Sequence, residues 1–155
     1  MTHELHLTQF IPAGIEPVWK FFATPDNLNT LTPPELRFET LTKQETMYAG
    51  QMIAYRIRIL PGVRVHWLTE ITHVREGAYF VDEQRSGPYR LWHHEHHFRE
   101  ANGGVEMTDH ITYSLPFAPF SGPVHQWWVK PMLNRIFAFR RGKIASIFQS
   151  GPGNQ

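Results

Sequence analysis

The spacing of the apolar residues changes once along this chain, and the change limits what the chain can fold into. Through the middle of the chain apolar and polar residues alternate, which is typical of half-buried β-strands. The alternating segments are Gln51–Leu60, Val63–Val74, Tyr79–Ser86, Tyr89–Arg99 and Val105–Leu115. After Pro116 the apolar residues recur at helical spacing, and Val124–Gln149 carries an apolar stripe. The sequence therefore predicts a run of strands followed by one long helix.

The residues before this run predict a further strand and short helices. His3–Ile11 alternates as a strand does, and Pro12 ends it. Ile15–Ala23 has apolar residues at helical spacing, which predicts a first helix. A second short helical turn is expected at Asp26–Leu31, and extended chain at Glu35–Leu41.

Tight turns between the strands indicate an antiparallel sheet. The turn signals are Pro61-Gly62, Glu76-Gly77, Gly87-Pro88 and Asn102-Gly103-Gly104. A final helix of about 25 residues is roughly 37 Å long, so it crosses the whole sheet, and Pro131 should kink or restart it near its beginning. We expect an α+β fold, with a curved antiparallel sheet of six or seven strands wrapped around the long C-terminal helix. One or two short helices follow the first strand.

Composition excludes several classes of protein and site. The chain has 155 residues, which suits one domain, and we expect that domain to span 1–149 with a disordered tail at 150–155. It has no cysteine, which excludes disulfides, thiol catalysis and thiolate metal sites and suits a reducing compartment. Lys and Arg number 15 against 14 Asp and Glu, so nothing in the charge favours nucleic acid. No apolar run is long enough for stable membrane insertion, and we expect a cytoplasmic protein.

The order of elements and several short motifs resemble the helix-grip fold of the SRPBCC superfamily. That superfamily includes START-like lipid-transfer domains, birch-pollen-allergen-type proteins and polyketide cyclase/dehydrase-like domains. The matching stretches are Pro17-Val-Trp19, Leu31-Thr-Pro-Pro34, Phe80-Val-Asp-Glu-Gln84, Gly87-Pro88-Tyr89, Trp92-x-His94-x-His96-x-Phe98, Gly103-Gly104 and Asp109 with Tyr113 before Pro116. The resemblance implies a hydrophobic small molecule bound between the sheet and the long helix. It implies no particular reaction, because members range from carriers to cyclases.

The densest chemical signal is the histidine-rich segment Trp92–Phe98. On a strand His94 and His96 share one face with the flanking aromatic residues, which predicts that they point inward. A turn centred on Ala101-Asn102 places His94 directly opposite Asp109. A turn at Gly87-Pro88 places Asp82 opposite Trp92 or His94, so Asp82, His94 and Asp109 are expected on one face.

Three interpretations of these polar residues remain open. The first, which the sequence favours, is a hydrogen-bonded network within the sheet. The second is a site that orients the polar end of a ligand. The third is a metal or acid–base site, in which His94, Asp109 and Asp82 are the candidate catalytic residues and the two histidines with a carboxylate form a ligand set. We expect no metal and no cofactor, and we interpret His93, Glu95 and His97 as a solvated outer face.

Further residues are predicted to line the cavity because they lie on inward-facing strand positions or on the helical stripe. With the polar residues above, the predicted ligand-binding set is Tyr55, Trp67, Phe80, Asp82, Gln84, Trp92, His94, His96, Asp109, Ile111, Tyr113, Phe117, Leu133, Phe137 and Arg140. Arg140 could neutralise Asp82, Asp109 or a ligand carboxylate. Leu115–Pro123 is either a rigid loop or a lid. The adjacent Trp127 and Trp128 cannot both face the core.

The sequence therefore favours the binding of a hydrophobic or aromatic small molecule that has one polar end. One alternative is a cyclase- or dehydratase-type enzyme that uses the histidines and aspartates as acid and base. Another is an accessory interaction domain without a ligand, acting through the two tryptophans. The same tryptophans leave a homodimer open.

Overall fold

The structure is a computed structural model that describes residues 1–42, 46–60, 62–116 and 121–149. Its strands are β1 (Thr2–Ile11), β2 (Glu39–Thr40), β3 (Gln51–Leu60), β4 (Val63–Arg75), β5 (Tyr79–Ser86), β6 (Leu91–Ala101) and β7 (Gly104–Ser114). These strands form one antiparallel sheet in the order β1-β7-β6-β5-β4-β3-β2. The predicted antiparallel sheet of six or seven strands is confirmed, and each long strand alternates faces as its sequence does.

Helical segments follow β1 and β7. The first are α1 (Ile15–Phe22) and two 3₁₀ turns, Pro25–Asn29 and Pro34–Leu36. The long C-terminal helix consists of α2 (Ser121–Val124), a π-helical turn (His125–Val129) and α3 (Lys130–Gln149). No helix among the described residues is long and apolar enough to cross a bilayer. The tail at 150–155, for which we predicted disorder, lies outside the described residues.

The turn between β6 and β7 differs from the predicted one by two residues in register. Its tip is Asn102-Gly103, and both residues have positive φ, at 51° and 79°. That conformation suits the twist of the flanking strands and is the one that Asn-Gly favours. As a result Ala101 pairs with Gly104, and His96, rather than His94, lies directly opposite Asp109. The prediction that His94 directly opposes Asp109 is therefore wrong, although both side chains are buried.

The segment after the first two helical turns is less extended than predicted. Extended chain was expected throughout Glu35–Leu41, but Pro34–Leu36 forms a 3₁₀ turn and only Glu39–Thr40 forms a strand. Pro34 begins that turn, and its fixed φ suits the first position of a helical segment. This geometry turns Leu36 inward, where it is buried.

Pro131 changes the hydrogen bonding of the long helix without ending it. Proline has no N–H to donate to the carbonyl four residues earlier, here that of Trp127. The preceding turn widens into a π-helix, in which the Lys130 N–H donates to the His125 carbonyl. The helix then continues to Gln149. The predicted break is thus a π-helical turn placed just before the proline.

The buried side chains form three clusters between the sheet and the helices. The first cluster joins α1 to β6, β7 and the C-terminal half of α3. The second joins β6 and β7 to the beginning of the long helix, and the third lies on β3 and β4. Each cluster contributes side chains to the wall of one internal cavity, which the helix leaves open against the inner face of the sheet.

Candidate functional site

A cavity of about 580 Å³ lies between the inner face of β3–β6, the segment from α1 to β2 and the long helix. Its wall is mostly apolar and aromatic. Polar side chains are concentrated where β5 and β6 approach Arg140 of α3. The cavity therefore has an extensive apolar wall and one region of charged and imidazole side chains.

Most of the predicted ligand-binding residues lie in the cavity wall. They are Tyr55, Trp67, Phe80, Asp82, Trp92, His94, His96, Leu133, Phe137 and Arg140. Trp128 also lines the cavity whereas Trp127 is 83% exposed, as expected of neighbouring tryptophans that cannot both face inward.

Four of the predicted residues do not line this cavity, and a fifth cannot be placed. The Gln84 amide instead donates to the Tyr89 carbonyl at 2.6 Å, so it fixes the turn between β5 and β6. Ile111 and Tyr113 are fully buried in the second core cluster, because β1 and the long helix cover β7. Asp109 borders a different space, described below. Phe117 lies outside the described residues, as do residues 118–120 of the predicted lid.

Sequence reasoning missed many apolar members of the wall. From α1 and the segment between α1 and β2 they include Phe21, Phe22, Leu28, Leu31, Leu36 and Phe38. From the strands, the turn before β6, the residue after β7 and the long helix they include Ile57, Ile59, Ile71, Tyr89, Leu115, Met132 and Ile136. The alternation of β3 already placed Ile57 and Ile59 on the inner face. For the residues after α1 no sequence signal was available, since their position depends on how irregular chain packs over the open end of the sheet.

Two histidines and two aspartates form the centre of the polar region. Asp109 Oδ1 lies 3.0 Å from His94 Nε2 and 2.8 Å from His96 Nδ1. Asp82 Oδ2 lies 2.9 Å from His96 Nε2 and 3.5 Å from His94 Nδ1. The two imidazole rings lie 3.7 Å apart between centroids. Each imidazole therefore stands between two carboxylates, and we call these residues, with Arg140, the inner polar set.

Strand register explains this arrangement. His94 on β6 pairs with Asp82 on β5, and His96 pairs with Asp109 on β7. Each histidine thus has one aspartate directly opposite and the other on the diagonal, which is still within reach of an imidazole. Three adjacent strands build the set, so its geometry is fixed by the sheet and not by a loop.

Arg140 reaches the set from α3 and is itself buried. Its Nη2 lies 3.6 Å from Asp109 Oδ1 and 3.3 Å from His96 Nδ1. The guanidinium also lies 5.6 Å from the ring centroid of Phe22 and 5.9 Å from that of Phe137. Among the described residues, Arg140 Nε is a buried polar atom without a hydrogen-bond partner. Arg140 therefore pairs with Asp109, which is one of the partners that the sequence suggested for it. Its Nε–H remains without an acceptor.

Burial and neighbouring charges shift the pKa values of the set. Burial, with a smaller effect from His96, lowers the pKa of His94 to about 4. For Asp109, burial acts to raise the pKa, but Arg140 and the two imidazoles outweigh it and hold that pKa well below its ordinary value. The pKa of Asp82 is lowered in the same way, chiefly by the hydrogen bond from His96. At neutral pH the set therefore contains two carboxylates and a neutral His94.

A second space, of about 510 Å³, lies between β1 and the long helix. Leu5, Leu7 and Gln9 line it from the strand, and Asp109 borders it. Arg140 and Phe137 line both this space and the main cavity. The inner polar set therefore separates two cavities, and the shared residues come from the helix.

A polar contact at the other end of the helix was not predicted. The Tyr113 hydroxyl lies 2.8 Å from His125 Nε2, and the His3 ring stacks on His125 with centroids 3.4 Å apart. Burial lowers the pKa values of both histidines, with Lys130 adding to the effect. The three residues come from distant parts of the sequence, so periodicity alone could not bring them together.

The other face of β6 carries a separate group of histidines around Glu95. Its carboxylate lies 3.2 Å from His93 Nε2 and 2.9 Å from His97 Nε2. His93 also contacts Glu83 at 3.0 Å. These side chains are half-buried or exposed, consistent with the interpretation as a solvated outer face.

Comparison with known proteins identifies the fold. Neither a family model nor a curated protein sequence matches the chain. Among solved structures, the Zhui aromatase/cyclase from Streptomyces sp. R1128 has a TM-score of 0.76 at 12% identity, covering 99% of this chain and 100% of that one. Ara h 8.0201 has a TM-score of 0.63 at 18% identity, covering 94% and 99%. The major latex-like protein 151 from Panax ginseng has a TM-score of 0.62 at 13% identity, covering 95% and 97%. The chain therefore has the helix-grip fold, as its resemblance to the SRPBCC superfamily implied.

Proposed function

We propose that this protein binds a hydrophobic or aromatic small molecule with one polar end in the cavity between the sheet and the long helix. The observation that carries the proposal is a cavity of about 580 Å³ with a mostly apolar wall and one cluster of charged and imidazole side chains. Cavities of this size and character are typical of small-molecule sites, where a few polar groups fix the orientation of the ligand.

Aromatic side chains in the wall favour a planar ligand. Trp67 lies 5.3 Å from Trp92 and 5.5 Å from Tyr89 between ring centroids, and Tyr89 lies 4.8 Å from Trp92. Such tilted and edge-on groups present both faces and edges of rings to a neighbouring aromatic molecule. The polar end of the ligand would then lie near Asp82, His94 and Arg140.

Native mass spectrometry of freshly purified protein tests the proposal, because a retained ligand adds its mass to the chain. A variant that fills the cavity, Ile136→Trp, is expected to lose that mass. The matched control is Lys143→Trp, which places the same side chain at an exposed position of the same helix. Equal retention by wild type and Ile136→Trp would contradict binding in this cavity.

Acid–base catalysis is the second candidate function, and it is favoured by the position of His94 and Asp82 in the cavity wall. Against it stands the mutual saturation of the histidines and carboxylates, since groups that bond one another are poor acids and bases toward a ligand. The molecule identified by mass spectrometry provides the test. An enzyme requires its turnover, and His94→Gln must then lower the rate at least about a hundredfold while binding persists.

An accessory domain without a ligand is less well supported, because side chains do not fill the cavity. Trp127, at 83% exposed, is the residue that could still contact a second copy of the chain. Sedimentation of wild type and Trp127→Ala tests for such a homodimer.

We also propose a cytoplasmic location, which the absence of cysteine from the sequence supports.

A further inference from the structure

Three electron-pair donors of the inner polar set converge on one point beside the cavity. Asp109 contacts one nitrogen of each imidazole, Nε2 of His94 and Nδ1 of His96. The other two nitrogens, Nδ1 of His94 and Nε2 of His96, both point toward Asp82 Oδ2. The two sides of the histidine pair are therefore not equivalent, because Arg140 joins Asp109 on one side only.

The positions of the protons on the two imidazole rings determine whether a metal ion can bind where these atoms converge. A neutral imidazole has one N–H and one lone pair. When an ion is bound, each histidine can donate its N–H to Asp109, and the lone pairs of both rings then face the carboxylate of Asp82. Without an ion, the Nε2–H of His96 instead donates to Asp82 Oδ2 at 2.9 Å, so a metal ion would take the place of that proton.

We propose that Asp82, His94 and His96 bind one divalent transition-metal ion such as zinc. Among the described residues this is the only group of three such side chains whose ligand atoms all lie within 4.8 Å of one another. Two imidazoles and a carboxylate are a common ligand set for zinc and for non-haem iron, and three protein ligands leave a coordination position open. All three residues line the cavity, so the open position faces it.

Asp109 has the place that a supporting carboxylate occupies in metal sites. A histidine that ligates a metal usually donates its other N–H to a carboxylate, which fixes the tautomer and the ring orientation. Here one oxygen of Asp109 serves both histidines. Arg140 pairs with that aspartate at 3.6 Å, so its charge offsets the negative charge of the supporting carboxylate.

The sequence did not favour a metal because the spacing of these residues alone is a weak match to a metal-ligand pattern. In the observed register each histidine lies between Asp82 and Asp109. The inference does not depend on the proposed function, since the ion binds protein side chains alone. A bound ion would, however, offer its open coordination position to the polar end of a cavity ligand.

Cobalt(II) added to chelator-treated protein tests the site without a ligand. We expect one ion per chain and the strong visible absorption of a four-coordinate ion, and we expect zinc to displace it. The variants Asp82→Asn and His96→Gln should weaken binding by more than about 100-fold, the upper end of the loss caused by substituting a supporting residue. The matched control is the outer-face double variant His93→Ala with His97→Ala, which should bind as wild type does.

Two results would overturn the proposal. One is the absence of the cobalt spectrum in wild type, which would show that a proton, and not a metal ion, occupies the site between these three side chains. The other is a spectrum that survives in the inner variants and disappears in the outer-face variant.

The wild-type protein gives a further readout if the inner variants do not fold. In nitrogen NMR, zinc should shift Nδ1 of His94 and Nε2 of His96, and unchanged ring nitrogens would refute the site. Mass spectrometry of metal-free protein tests cavity binding separately, so either idea can fail alone.

Discussion

Asp109 is the residue that holds the inner polar set together. Its buried carboxylate lies 3.0 Å from His94 Nε2 and 2.8 Å from His96 Nδ1, and Arg140 supplies the compensating charge. A buried carboxylate is tolerated only when it is paired and hydrogen-bonded. The two histidines come from β6 and Arg140 comes from α3, so the loss of this one charge leaves the buried Arg140 without its carboxylate partner.

The variant Asp109→Asn is therefore expected to lower the free energy of unfolding by about 3–5 kcal/mol, the usual cost of breaking one side of a buried ion pair. Urea denaturation measures the change. Glu95→Gln on the outer face is the control, because exposed ion pairs contribute less than about 1 kcal/mol. Similar effects of the two substitutions would show that Arg140 does not depend on Asp109.

His125 should make stability depend on pH. It contacts His3 and Tyr113, and burial, with smaller effects from His3 and the charge of Lys130, lowers its pKa below the 6.5 of an unfolded chain. As the pH falls below about 6.5 the unfolded state takes up the proton first. The stability is thus complete above that pH and is lost as the pH falls toward the lower, folded-state pKa.

Urea denaturation between neutral pH and mildly acidic pH measures this loss. We expect His125→Gln to show a smaller decrease in the free energy of unfolding over the same interval than wild type. An imidazole of His125 that titrates at an ordinary pKa by NMR would refute the explanation.

Among the elements, the hairpin between β6 and β7 determines which polar side chains meet beside the cavity. The Asn102-Gly103 tip sets the register that brings Asp109 between two histidines. A Cβ at Gly103 would meet no atom within 4 Å, so Gly103→Ala tests the backbone conformation alone. We expect it to cost about 1–2 kcal/mol, the penalty for a left-handed L-residue.

Gly142→Ala is the matched control for that substitution. Its added Cβ also meets nothing within 4 Å, but Gly142 lies in α3. Alanine there should stabilise the protein by about 0.5–1 kcal/mol. Chemical denaturation of both variants should give changes of opposite sign, and two changes of the same sign would contradict the assigned turn.

The elements also show what could and could not be predicted from the sequence. Alternation gave the bounds of β3 and β5 to the residue, because each strand has one buried face and tight turns at its ends. The register of β6 and β7 could not be fixed, since a shift of two residues preserves the same faces. The π-helical turn before Pro131 was foreseen only as a break. The contact of its His125 with Tyr113 depends on tertiary packing, which periodicity does not report.

At the scale of the whole molecule, the cavity is held open by parts of the chain that are distant in sequence. A molecule that binds the folded state stabilises it according to its concentration and affinity. The compound found by native mass spectrometry should therefore raise the unfolding temperature of wild type as its concentration increases. It should leave Ile136→Trp unchanged. An equal increase in both proteins would place the compound outside the cavity.

The three core clusters are connected, and we propose that residues 1–149 unfold as one domain. Met47 and Val74 pack against both the first and the third cluster, and Trp67 packs against the second and the third. Shared side chains make it costly to unfold one cluster while another stays folded.

Single domains of this length usually unfold in one cooperative step. Trp19 lies in the first cluster and Trp92 in the second, so Trp19→Phe removes the tryptophan of the first cluster from the fluorescence signal and Trp92→Phe removes one from the second. We expect each variant's fluorescence and far-UV circular dichroism transitions to coincide, and separate midpoints within one variant would show that the two ends unfold independently.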